Sequence, residues 1–129
     1  MIVADTSAWV QFFRTPDSPE GREMRSLIRQ GQVALTGVVV AEVIQGARDE
    51  GHREELMDLL SALPFLQASY ATWARAGLLS FRLRQAGQRL PLTDVAIAAV
   101  ALEHDCPIFT LDDHFQRVPG LRLHEVGAG

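Results

Sequence analysis

Short apolar runs alternate with longer helical patterns along almost the whole chain, and this alternation restricts the fold more than any other feature of the sequence. The apolar runs predict strands at residues 2–4, 32–35, 107–110 and 121–124. Strands that are separated by helices are joined by right-handed crossovers, because a twisted strand and a right-handed helix pack together well only in that sense. The sequence therefore predicts an α/β fold with a mostly parallel sheet that helices cover on both faces.

The segments between the apolar runs have the periodicity and the end signals of helices. Thr36 is a predicted N-cap, because its hydroxyl can accept a hydrogen bond from the first turn of the helix that carries VVVAEVIQGAR. The TPDSPEG stretch predicts a turn before the second helix. The other helices are predicted near residues 6–14, 18–30, 50–62, 69–86 and 92–105.

The length and composition favour one globular domain that covers residues 1–129. The chain is 47% hydrophobic and 22% charged, and no apolar run approaches the roughly 18 residues that a membrane-spanning helix needs. The N-terminus lacks the pattern of a signal peptide, and the single cysteine, Cys106, allows neither an internal disulfide nor a Cys-x-x-Cys zinc motif. We therefore expect a cytoplasmic protein with no membrane partner.

The charged residues set a limit on the partners of the chain. All 12 basic side chains are arginines, and 16 acidic side chains outnumber them. The resulting formal charge of −4 argues against non-specific coating of nucleic acids. It does not exclude a phosphate-containing substrate, since a bound metal ion can offset the repulsion between acidic side chains and phosphate.

Four acidic residues occupy settings that solubility does not explain. Asp5 and Asp112 follow predicted strands, where a cap or a turn is the local explanation. Asp94 begins an almost wholly apolar helix in PLTDVAIAAVAL, where the helix dipole alone could favour it. Glu42 lies inside GVVVAEVIQGA and needs a partner, because an unpaired buried carboxylate is costly. Taken together, these acids are expected to meet at the edge of the sheet where parallel strands build their binding sites.

The chemistry of such a cluster indicates a divalent cation. Two carboxylates about 4 Å apart repel each other by roughly 4 kcal/mol at an effective dielectric constant near 20, so four of them need a positive charge between them. Carboxylate oxygens without paired histidines or cysteines suit Mg²⁺ or Mn²⁺ better than zinc. Such ions retain water and accept phosphate oxygens, which favours metal-assisted hydrolysis of phosphodiesters.

The ordered motifs VADTS, AEVIQG, LTDVAIAA and FTLDDHF resemble those of the PIN-domain nucleases, and in particular the small bacterial toxins of the VapC type. The resemblance extends over almost the whole chain. It implies a three-layer α/β/α fold around a parallel sheet and a Mg²⁺- or Mn²⁺-dependent endoribonuclease that acts on RNA. It also implies two protein partners: a VapB-type antitoxin that blocks the acidic pocket, and a second copy of the toxin in a homodimer.

The resemblance also implies roles for individual residues. The acidic quartet of the active site would consist of Asp5, Glu42, Asp94 and Asp112. The hydroxyl groups that order the carboxylates and bound water would belong to Thr6 or Ser7 and to Thr110. The last motif departs from the usual T-x-D-x-D-F pattern, because His114 stands in the place of the second acid and Asp113 falls between. The choice between Asp112 and Asp113 as the fourth acid therefore stays open.

The expected reaction is in-line attack on phosphorus by a metal-activated water, which leaves 5′-phosphate and 3′-hydroxyl ends. A route through the ribose 2′-hydroxyl would instead leave a cyclic phosphate and would need no metal.

Two other functions suit a PIN domain: RNA processing without an antitoxin, and binding by a degenerate domain. Two other classes fit less well. A phosphoacceptor receiver needs a lysine, which the chain lacks, and a haloacid-dehalogenase-like phosphatase needs a second aspartate where Ser7 stands.

Overall fold

The computed structural model describes residues 1–127, in which it places three strands, six α-helices and one short 3₁₀ helix. The strands are β1 (Ile2–Ala4), β2 (Val33–Ala34) and β3 (Ile108–Phe109). The helices are α1 (Thr6–Arg14), α2 (Pro19–Arg29), α3 (Gly37–Gln45), α4 (Glu50–Ser61), α5 (Tyr70–Gln85) and α6 (Leu92–Glu103). The 3₁₀ helix (Asp113–Arg117) follows β3. Among these residues, no helix combines the length and the apolarity that a membrane span requires.

The three strands form one parallel sheet in the order β2-β1-β3. Single parallel bridges extend this sheet on both sides, from Leu35 to Phe65 next to β2 and from Ile108 to Leu123 next to β3. Because right-handed crossovers connect parallel strands, the path from β1 through β2 to Phe65 places α1–α4 on one face, and the return to β3 places α5 and α6 on the other. The predicted three-layer α/β/α sandwich is confirmed.

The helix ends lie within two residues of the predicted positions, except that α3 ends at Gln45, three residues before the predicted Arg48. The first five helices each begin with a side-chain cap whose oxygen accepts a backbone hydrogen bond from the first turn. The capping residues, in chain order, are Asp5, Ser18, Thr36, Asp49 and Ser69. The sequence shows these ends because a cap acts only on its own turn.

Strand β1 has the predicted bounds, whereas β2 and β3 are each shorter than the sequence predicts, and the strand predicted at 121–124 is reduced to one bridge. Ile108 N–H donates to the carbonyl of Arg122 at 3.0 Å, and His124 N–H donates to the carbonyl of Ile108 at 2.8 Å. Strand β3 ends at Phe109, and the hydroxyl of the next residue, Thr110, donates a hydrogen bond to Asp5. The predicted acidic loop therefore contains the 3₁₀ helix.

Buried apolar residues of the sheet and of α6 form the centre of the core. Val3, Val33 and Ile108 are fully buried, as expected for strands that helices cover on both faces. Residues 95–101 of α6 are all buried, and four of these seven are alanines. Small side chains let α6 lie close to both α5 and the sheet. The first turn of α6, with Asp94, is thereby fixed near the end of β1.

Candidate active site

Asp5 lies at the carboxyl end of β1 and is almost completely buried, with 3% of its surface exposed. Its Oδ1 accepts hydrogen bonds from the Ser7 hydroxyl at 2.7 Å and from the Ala8 N–H at 3.0 Å. Its Oδ2 accepts a hydrogen bond from the Thr110 hydroxyl at 2.5 Å. Both oxygens are therefore engaged. We call this group (Asp5, Ser7 and Thr110) the Asp5 cluster.

Burial raises the pKa of Asp5 above its ordinary value of 3.8, because loss of water disfavours the charged carboxylate. The hydrogen bonds from Thr110, Ser7 and Ala8 lower this pKa but do not fully offset the burial. The negative charge of Asp94 raises it further, although Asp94 lies on a different element. A cation near the two carboxylates would remove this cost.

The hydroxyls of the Asp5 cluster also hold the loop that follows β3. Ser7 Oγ accepts a hydrogen bond from Leu111 N–H at 2.9 Å, and Thr110 Oγ1 accepts one from Asp112 N–H at 2.9 Å. Each hydroxyl therefore acts both as a donor, to Asp5, and as an acceptor, from a backbone N–H of the loop. This exchange fixes the loop that carries Asp112 against the end of β1.

Glu42 lies on α3 and is half-buried. The Thr6 hydroxyl donates a hydrogen bond to Glu42 Oε1 at 2.8 Å, across 36 positions of sequence. Because Thr6 directly follows Asp5, this bond places the Glu42 carboxylate beside the start of α1. Within residues 1–127, Thr6 is the only hydrogen-bond partner of this carboxylate. Glu42 therefore lies beside the Asp5 cluster without being bonded to it.

A second group contains Asp94, Asp112 and His114, and we call it the Asp94 cluster. His114 Nδ1 lies 3.0 Å from Asp94 Oδ2 and 3.2 Å from Asp112 Oδ1. One ligand atom from each of the three residues lies within 4.8 Å of the other two. The side chain of Asp94 is 20% exposed, and those of Asp112 and His114 are each 36% exposed. Solvent, and hence a ligand, can reach this cluster.

The geometry separates Asp112 from Asp113. Asp112 Oδ1 accepts a hydrogen bond from His114 N–H at 2.9 Å and lies beside the ring of the same residue. Asp113 is exposed at the start of the 3₁₀ helix, and its carboxylate has no hydrogen bond or salt bridge to any residue from 1 to 127. Of these two acids, Asp112 is the one that joins Asp94.

The donor atoms at this edge of the sheet fit a divalent cation. Two carboxylates and one imidazole nitrogen converge in the Asp94 cluster, and the charge of Asp94 reaches the buried Asp5. Across the described part of the chain, no arginine forms a salt bridge with any of the four predicted acids. A positive charge would therefore have to come from a protonated His114, which contacts Asp94 and Asp112, or from a bound ion or ligand.

His114 is the residue of the site whose position the sequence analysis missed. The sequence shows it only as a departure from the T-x-D-x-D-F pattern, with no contact assigned to it. A signal was present, because this histidine occupies the place of an acid in a motif that belongs to the same site. The next residue, Phe115, is 1% exposed in the core, which holds His114 beside the two carboxylates.

Comparisons with known proteins identify the family. The sequence profile of the PIN domain matches residues 2–121. Ribonuclease VapC11 of Mycobacterium tuberculosis is 34% identical over 119 residues, a match that covers 89% of this chain and 89% of that protein. Ribonuclease VapC5 of the same organism is 29% identical over 133 residues, with 96% of this chain and 92% of that protein covered.

A solved structure shares the fold over nearly the full length. VapBC-1 from nontypeable Haemophilus influenzae contains a chain that matches with a TM-score of 0.80 at 19% identity, covering 97% of this chain and 98% of that one. Such a likeness concerns the fold alone, whereas the sequence profile and the 34% identity to VapC11 concern the family. The chain belongs to the PIN domain family and, within it, to the VapC proteins.

Proposed function

We propose that the chain is the toxin of a VapBC-type toxin–antitoxin pair, an endoribonuclease that hydrolyses RNA phosphodiester bonds with Mg²⁺ or Mn²⁺. We also propose that residues 1–129 form one PIN domain that acts in the cytoplasm. The observation that carries the proposal is the Asp94 cluster, whose three ligand atoms lie within 4.8 Å of one another beside the buried Asp5. The relatives named as VapC ribonucleases support the reaction.

The cation would be held by Asp94 and Asp112, with Asp5 close enough for its charge to contribute. A divalent cation in such a site activates water and offsets the negative charge that develops on phosphate oxygens. The cluster is partly exposed, so a phosphodiester can approach from solvent.

The remaining predicted residues position these groups. Ser7 and Thr110 donate to Asp5 and thereby favour its charged form against the effect of burial. Thr6 holds the Glu42 carboxylate through one oxygen, which leaves the other free. We assign Glu42 to orient the attacking water and to accept its proton.

In the proposed reaction, the water oxygen attacks phosphorus in line with the leaving 3′ oxygen. A phosphorus–oxygen bond to water forms as the bond to the 3′ oxygen breaks, and the 3′ oxygen then takes up a proton. The products carry a 5′-phosphate and a 3′-hydroxyl. The 2′-hydroxyl of the ribose takes no part in this step.

Cleavage of a labelled RNA by the purified protein tests the proposal. We expect cleavage with Mg²⁺ or Mn²⁺, none with EDTA, and 5′-phosphate ends on the products. Asp5→Asn should fold, as judged by circular dichroism, and should lose cleavage. Cyclic phosphate ends or activity in EDTA would contradict the mechanism. A wild-type protein that binds RNA without cutting it would instead indicate a degenerate binding domain.

Two apolar surfaces support the proposed protein partners, a VapB-type antitoxin and a second copy of the chain. On α5, Tyr70, Trp73 and Phe81 are 89%, 51% and 46% exposed, although they are large and apolar. A separate groove of about 300 Å³ is lined almost entirely by apolar side chains of α3, α4 and the segment around Phe65. Co-expression with the product of a neighbouring gene should inhibit RNA cleavage. If no neighbouring gene product inhibits cleavage, RNA processing without an antitoxin would be favoured.

A further inference from the structure

We propose that His114 is a nitrogen ligand of the active-site cation and that it makes the site prefer Mn²⁺ to Mg²⁺. The inference rests on the proposed function, because it concerns the ion that the same site would hold. It goes beyond that function, since the pattern T-x-D-x-D-F supplies only carboxylates, whereas this chain supplies an imidazole.

The position of His114 Nδ1 is that of a ligand atom. Adjacent ligands of an octahedral ion lie about 3 Å apart when each metal–ligand distance is about 2.1 Å. His114 Nδ1 lies 3.0 Å from Asp94 Oδ2 and 3.2 Å from Asp112 Oδ1. Nδ1 lies within hydrogen-bonding distance of Asp94 Oδ2, and a cation between the three residues would meet three ligand atoms already assembled.

The contacts around His114 fix its backbone before any ion arrives, and its ring contacts Asp94 and Asp112. Its N–H donates to Asp112 Oδ1, and Asp112 N–H donates in turn to Thr110 Oγ1. On the other side of His114, the buried Phe115 anchors the 3₁₀ helix in the core. A ligand that is fixed in advance loses little conformational entropy on binding.

The ligand type then decides which ion is favoured. Mg²⁺ prefers oxygen ligands, and replacing one of them by nitrogen removes part of its affinity. Mn²⁺ also binds carboxylates, but as a first-row transition ion it accepts nitrogen ligands more readily. The carboxylates of Asp94 and Asp112 keep the rest of the site hard. The combination of two carboxylates and one imidazole therefore favours Mn²⁺ over Mg²⁺.

Pulsed electron paramagnetic resonance of the full chain loaded with Mn²⁺ tests the direct bond, because it detects nitrogen nuclei bound to the ion. We expect nitrogen coupling in the wild type and its loss in His114→Asp. His104→Asn is a matched control, because it removes another partly exposed histidine that lies near a carboxylate. The side chain of His104 is 34% exposed, and its Nε2 lies 3.9 Å from a carboxylate oxygen of Glu103. This variant should retain the coupling.

Calorimetric titration with Mn²⁺ and with Mg²⁺ tests the preference. His114→Asp restores the T-x-D-x-D-F pattern, and we expect it to reduce the ratio of Mn²⁺ to Mg²⁺ affinity by about tenfold or more. If His114→Asp does not fold, the wild-type coupling can still be assigned. The chain has only 4 histidines, so single replacement of the other three would leave the coupling intact.

Wild-type protein that binds Mn²⁺ without nitrogen coupling, or that binds no Mn²⁺, would overturn the inference. An unchanged affinity ratio in His114→Asp would overturn the preference. RNA cleavage separates these outcomes from failure of the proposed function. Metal-dependent cleavage without nitrogen coupling removes only the role of His114, whereas absence of metal-dependent cleavage removes the proposed function itself.

Discussion

The Asp5 cluster and the Asp94 cluster lie at the same edge of the sheet, yet they differ in burial and in how many hydrogen bonds their carboxylates accept from the chain. Asp5 is 3% exposed, and donors from Ser7, Ala8 and Thr110 engage both of its oxygens. In the Asp94 cluster, two carboxylates share one ring nitrogen and side-chain exposure ranges from 20% to 36%.

This difference divides the work of the site. The Asp5 cluster is bonded within the chain, so it fixes where the ends of β1 and β3 meet, at the cost of a buried carboxylate with a raised pKa. The Asp94 cluster keeps lone pairs free for a ligand, at the cost of like charges held close together. We therefore expect the buried cluster to position the site and the exposed cluster to bind the ion.

The largest expected effect is on RNA cleavage, the activity that we propose for the site containing the Asp94 cluster. Asp112→Asn removes a charge but keeps the shape of the side chain, and we expect RNA cleavage to fall by about 100-fold to 1,000-fold. Asp113→Asn is a matched control, because it removes the same charge one residue away, outside the cluster. The kcat/KM values of the two variants at saturating Mn²⁺ give the comparison. Equal losses would show that charge alone matters and that the cluster does not.

Metal binding should stabilise the folded protein through the same cluster. An ion at about 100 times its Kd raises the free energy of unfolding by about 2.7 kcal/mol when it binds only the folded state. We expect this gain for the wild type, its reversal by EDTA, and its loss in Asp94→Asn. Chemical denaturation with and without Mn²⁺ measures it. The same gain in Asp94→Asn would place the ion elsewhere.

A smaller effect should follow from breaking the Asp5 cluster. Thr110→Val keeps the shape but leaves Asp5 Oδ2 without a donor and Asp112 N–H without an acceptor. Buried groups left unpaired cost about 1–3 kcal/mol, so we expect this loss of stability and a moderate loss of cleavage. Thr110→Ser retains the hydroxyl and should stay near wild type in urea unfolding. Equal loss in both variants would indicate that packing, and not the hydroxyl, matters.

The smallest expected effect is the pH dependence of stability in the metal-free protein. The pKa of Asp5 in the folded chain lies above 3.8, so the folded state binds this proton more tightly than the unfolded state does. The contribution of Asp5 to stability is therefore lost as pH rises through the folded pKa. We therefore expect the melting temperature of Asp5→Asn, taken relative to that of the wild type, to rise as the pH rises toward neutrality, because Asn carries no charge at any pH.

This difference in melting temperature should shrink below about pH 4, where Asp5 is protonated in both folded and unfolded chains. Melting curves over this range measure it. Excess Mn²⁺ should reverse this trend with pH, because it stabilises the carboxylate of the wild type. A difference in melting temperature that is the same at all pH values would show that ionisation of Asp5 does not cause it.

The sequence predicted the helices better than the strands, and the reason is the range of the signals. Ser18 and Ser69 each cap the helix that follows within a few residues, so the chain shows these helix ends locally. A strand needs a partner from elsewhere. The strand predicted at 121–124 keeps only the bridge between Leu123 and Ile108, and its neighbour β3 is itself only two residues long.

The sequence by itself determined the α/β class, the helix ends and the four acidic motifs, because periodicity, caps and motifs are carried by neighbouring residues. Only the tertiary structure decided that Asp112 and not Asp113 joins Asp94, that Ser7 and Thr110 meet across 103 positions, and that His114 lies between two carboxylates. Those contacts depend on how β1, β3 and α6 end at one edge of the sheet, which no local stretch of the chain encodes.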